Sequence, residues 1–112
     1  MRDIKFRGLT TGMNSHWVIG YLCKKFEDDV RIYNVKMQVW SSVRPKTVGE
    51  YTGLKSKGGY EIFEGDVLSD GYESYTVYWT PGGFWARGNT MSEPLEEINE
   101  DSEIVGNIFR ED

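Results

Sequence analysis

The sequence is short of the residues on which most catalytic sites and disulfide scaffolds depend. One cysteine, Cys23, rules out an intrachain disulfide, and one histidine, His16, rules out any site built on two imidazoles. Alanine occurs once, at Ala86, and proline three times, which leaves little material for long helices. Gly49, Gly53, Gly58 and Gly59 have neither the spacing nor the Lys-Ser/Thr ending of a phosphate-binding loop. No run approaches the roughly 20 apolar residues of a membrane-spanning helix. No apolar leader follows Met1, so the expected setting is a reducing cytoplasm with no membrane partner.

What the chain does contain favours pleated sheet. Aromatic residues make up 14% of it and glycines number 13, a composition of strands and tight turns. At 112 residues it suffices for a single compact unit spanning 1–112, with a core that needs no covalent staple. The net charge of −5 conceals a division: residues 1–57 hold 11 Lys/Arg against 5 Asp/Glu, and residues 58–112 hold 2 against 13. Such asymmetry suits either a basic surface facing nucleic acid or two halves, or neighbouring subunits, that attract each other. Overall acidity opposes tight binding to duplex DNA, which requires many phosphates to be neutralised.

Alternation predicts a first strand at 4–7, with Ile4 and Phe6 on one face and Lys5 and Arg7 on the other. The apolar run 17–22 suits a central strand, and two more are expected at 30–35 and 37–41 after the polar turn Glu27-Asp28-Asp29. Arg44-Pro45-Lys46 interrupts the pattern, since proline lacks an amide donor. It is expected as a seam between an N-terminal β subdomain at 1–45 and a C-terminal barrel-like, SH3-like subdomain at 46–112. Within the latter, a strand at 48–54 precedes the Lys57-Gly58-Gly59 reversal, and residues 60–64 form a short strand or a helical turn. Gly65-Asp66 then turns into the strand Val67-Leu68.

The clearest hairpin runs from Tyr75 to Arg87. Thr80-Pro81-Gly82-Gly83 has the chemistry of a type II turn, which sets Trp79 opposite Phe84, Tyr78 opposite Trp85 and Val77 opposite Ala86. Tyr75, Val77, Trp79, Phe84 and Ala86 then share the core face, and Thr76, Tyr78, Trp85 and Arg87 the other. Residues 93–103, rich in Asp and Glu around Leu95 and Ile98, suit a short amphipathic helix or an acidic loop, with a last strand at 104–109.

Three ordered blocks carry a resemblance: residues 2–8 (Arg-Asp-Ile-Lys-Phe-Arg-Gly), residues 47–54 continued by 61–67 (Thr-Val-Gly-Glu-Tyr-Thr-Gly-Leu, then Glu-Ile-Phe-Glu-Gly-Asp-Val), and residues 104–109 (Ile-Val-Gly-Asn-Ile-Phe). Together they resemble the YopX family. The resemblance implies a phage or prophage gene, expression in a bacterial host cytoplasm and a β-rich fold, and it implies no reaction. The family's middle loop usually reads Lys-Asn-Gly where this chain has Lys57-Gly58-Gly59.

Candidate chemistry is sparse. Glu61, Glu64 and Asp66 form a local carboxylate group of the kind that can hold a divalent cation, although a turn in which Asp66 accepts backbone amides explains them more simply. Cys23 lies beside Lys24 and Lys25, which favour a thiolate, but the chain offers only His16 as its base. No catalytic set, metal site or cofactor is therefore assigned. The candidate binding residues are Tyr78, Trp85 and Arg87 on the outer face of the hairpin, with Lys24 and Lys25, because rings beside cations stack on bases or anchor a protein. The expected function is a non-enzymatic protein-interaction or self-associating module. A nucleic-acid-binding β-barrel is the alternative, and a metal-dependent enzyme the third.

Overall fold

In a computed structural model, which describes residues 3–109, the alternating pattern becomes eleven strands in two antiparallel sheets, of six and five strands. They are β1 Phe6–Leu9, β2 Trp17–Phe26, β3 Asp29–Asn34, β4 Val39–Val43, β5 Gly49–Lys55, β6 Glu61–Phe63, β7 Asp66–Ser69, β8 Ser74–Thr80, β9 Gly83–Arg87, β10 Ser92–Pro94 and β11 Glu103–Asn107. Among the described residues there is no α-helix, only three single 3-10 turns, and no helix is long and apolar enough to cross a membrane. The chain divides into two units, Met1–Tyr51 and Thr52–Asp112, and passes from one to the other inside β5. The expected seam at Pro45 is instead a 3-10 turn, Pro45–Thr47, within the first unit, where proline at the first position suits the fixed φ of such a turn. Arg2, at the head of the first block, lies outside the described residues.

The first unit arranges its strands β4-β3-β2-β1, with the start of β5 beside β1. β1 is displaced two residues from its expected place: Phe6 pairs with Gly20 and Leu9 with Trp17, while Ile4 stays exposed. One face of this sheet packs around Val30, Ile32 and Val43, joined by Phe6, Val18 and Leu22. Gly20 permits a close approach there, since a Cβ at that position would sit 1.8 Å from the backbone oxygen of Tyr33. A single bridge, Thr10 to Val43, joins the end of β1 to the edge strand β4 and stops short of closing a barrel.

In the second unit the rest of β5 runs with β6, and the five-stranded sheet has the order β10-β9-β8-β7-β11. It is open, which corrects the expected SH3-like barrel: β10 and β11 are free edges, and β10, only three residues ending in Pro94, cannot extend the ladder to close it. Ile62, Leu68, Val77, Ala86 and Leu95 are buried in a single cluster.

The second and third blocks of the resemblance meet inside this unit. β11 pairs with β7, with Asn107 opposite Asp66, and Ile108 N–H donates to the carbonyl of Gly65. Gly65 sits at φ 93°, and a Cβ there would lie 2.8 Å from the Phe109 ring. The Lys57-Gly58-Gly59 reversal is kept, with Gly59 at φ 84°.

The hairpin has the register read from the sequence, Val77 to Ala86, Tyr78 to Trp85 and Trp79 to Phe84. Two details differ. The positive φ falls on Gly83, at 121°, rather than on Gly82, so the turn is not type II. The Thr80 hydroxyl sets this by accepting the Gly82 N–H at 3.1 Å and donating to the Gly83 carbonyl at 3.0 Å. Trp79, expected in the core, is exposed near the end of β8, although its cross-strand partner Phe84 is buried. The acidic segment is β10 followed by the 3-10 turns Leu95–Glu97 and Asn99–Asp101, with Leu95 and Ile98 buried and the Asn99 amide donating to the Lys55 carbonyl at 2.7 Å.

Candidate binding face

Strand pairing in the first unit determines which side chains share its second face. Tyr21 of β2 stands opposite Tyr33 of β3, and Tyr33 opposite Trp40 of β4, so three rings form one row across three adjacent strands. The Tyr33 and Trp40 centroids are 4.9 Å apart with their planes tilted by 50°. The next row is Cys23, Arg31 and Ser42. In the first row Tyr21 is 60% exposed and Trp40 52%, while Tyr33 between them is half-buried. Beside them lies an open depression of ≈ 110 Å³, lined by Cys23, Lys25, Asp29, Arg31 and Trp40. Arg31 donates through Nε to Asp29 at 3.2 Å, an exposed pair. Further along, the Arg7 guanidinium lies 4.4 Å from the centre of the Trp17 ring.

The residues singled out from the sequence fall into both units. Tyr78 and Trp85 are cross-strand partners in the second unit, and Arg87 lies over the Tyr78 ring at 4.5 Å. Both rings are half-buried, as Tyr33 is in the first unit, whereas Tyr21 and Trp40 are more than half exposed. Lys24 and Lys25 are exposed on β2 in the first unit, and Lys25 lines the depression. Tyr21, Tyr33, Trp40 and Arg31 were not singled out. Their signal was present as period-two alternation in 17–22, 30–35 and 37–41, which places them on one face but gives no sign that the face is bare.

The carboxylates have structural work. Asp66 is buried, and its Oδ2 accepts the Phe63 N–H at 2.8 Å, while Glu61 and Glu64 are half-buried beside it in sequence. Among the described residues no group of three or more His, Cys, Asp or Glu is placed to hold a metal ion. His16 belongs to a loop, its N–H donating to the Thr10 hydroxyl at 3.0 Å, and Cys23 is an exposed free thiol. In the loop after β7, Asp70 Oδ1 accepts the N–H groups of Glu73 and Tyr72, both at 2.8 Å. These bonds, that from Glu73 foremost, hold the Asp70 carboxyl below the usual carboxylate range.

The family model described as YopX protein matches residues 5–111, and the chain belongs to the YopX family. No curated protein matches it.

Proposed function

We propose that this member of the YopX family is a non-enzymatic interaction module whose contact surface is the bare face of the first unit. One observation carries the reading: on the face opposite the packed one, Tyr21 and Trp40 are exposed on either side of the half-buried Tyr33, in one row across three strands. Rings set side by side on a rigid sheet are effective anchors, because little side-chain freedom is lost when a partner covers them. The lack of a second imidazole and the structural use of Asp66 support a binding role over a catalytic one. The family resemblance supports a phage or prophage setting in a bacterial cytoplasm.

The test is the double substitution Tyr21→Ser/Trp40→Ser, compared with the parent chain by sedimentation velocity and by co-purification from bacterial extract. The expected result is loss of the parent's associations, whether with itself or with another molecule. Retention of all of them by the double variant would place the contact surface elsewhere.

A further inference from the structure

We infer that the bare face of the first unit is a platform for single-stranded nucleic acid, an inference that rests on that face being the contact surface. Two kinds of group lie there in adjacent rows. Tyr21, Tyr33 and Trp40 present rings on neighbouring strands, which are spaced about 4.8 Å apart. Arg31 occupies the next row, with Lys25 across the depression. A ligand that fits both must offer flat π-faces and negative charge in alternation along its length. A single strand does so, with bases to stack on the rings and phosphates to meet the cations.

Other occupants match half of the face. The acidic segment of a second copy supplies carboxylates for Arg31 and Lys25, but its Leu95 and Ile98 are buried in its own core and do not reach the rings. A duplex supplies phosphates but keeps its bases stacked inside, away from the rings. The net charge of −5 is no obstacle, because it is unevenly held: residues 1–51 carry nine Lys/Arg against five Asp/Glu, a net +4, and residues 52–112 carry four against 13, a net −9. Asp29, which also lines the depression, pairs with Arg31 at 3.2 Å in an exposed contact of the weak kind that a phosphate can displace.

Fluorescence anisotropy with a labelled oligo-deoxythymidine of about 16 nucleotides, enough for one such platform, tests this directly. Binding should weaken as salt rises, and should exceed binding to a duplex of the same length. Trp40→Ser and Tyr21→Ser should each weaken it about tenfold, within the range for one stacked base. Trp40→Phe should retain it, as should Trp79→Ser, which removes an exposed ring from the other unit. Equal affinity for duplex and single strand, or Trp40→Ser and Tyr21→Ser without effect, would overturn the inference. If no oligonucleotide binds but sedimentation shows self-association that Trp40→Ser abolishes, the occupant is a second copy; the inference falls and the contact face stands. If neither occurs, both fall.

Discussion

The first unit packs one face of its sheet around Val30, Ile32 and Val43 and leaves rings on the other more than half exposed, whereas the second gathers eight buried side chains into one cluster. The second unit exposes large side chains too, among them the rings of Tyr60, Tyr72 and Trp79 and the aliphatic Val105 of β11. Isolated exposed rings are ordinary, whereas Tyr21 and Trp40 lie in one row with the half-buried Tyr33 between them. The charge follows the same division, net +4 against net −9. The contrast lies in packing: the later blocks of the family resemblance, 61–67 and 104–109, meet in the second unit, whereas the exposed rings Tyr21 and Trp40 belong to the first.

The sharpest way to break this comparison is to truncate one residue of each kind. Leu68→Ala, at a fully buried site, should cost about 2–5 kcal/mol in urea unfolding, whereas Trp40→Ser should cost only about 1 kcal/mol, chiefly its contact with Tyr33. Similar costs for the two would mean that the Trp40 face is part of the packing after all. Gly65→Ala should cost about 1–3 kcal/mol, because the position combines a positive φ with contact against Phe109, and the same titration would show it.

A smaller effect is expected at Asp70. Its folded-state pKa is lowered, so the stability it contributes is present above the ordinary value of 3.8 and is lost as pH falls through the lower folded value. Asp70→Asn should therefore flatten the decline of the thermal midpoint between about pH 5 and pH 2. An unchanged decline would assign the acid sensitivity to other carboxylates.

Much of this architecture was legible in the sequence. Alternation located the strands of both units, the two residues between Thr80 and Gly83 fixed the hairpin register, and Gly65-Asp66 announced a turn whose carboxylate accepts a backbone amide. What stayed hidden depends on relations between distant residues. The run 17–22 reads as a strand covered on both faces because Ile19 and Tyr21 are apolar, yet both are exposed. Periodicity sorts side chains into two faces and is silent about which face another layer will cover. The type of turn at Pro81 was decided by the Thr80 hydroxyl, which overrode the preference of Gly82. The acidic segment, expected as a short helix or a loop, is a three-residue strand followed by 3-10 turns, tied down by the Asn99 amide on the Lys55 carbonyl.

Gly20 has a consequence for how such a protein can evolve. Any codon change that gives this position a side chain drives it into the Tyr33 carbonyl, so the site is genetically brittle. Its neighbour Tyr21 points the other way, where exchange leaves the packing alone. The scaffold is thus locked one residue away from a position where substitution leaves the fold untouched.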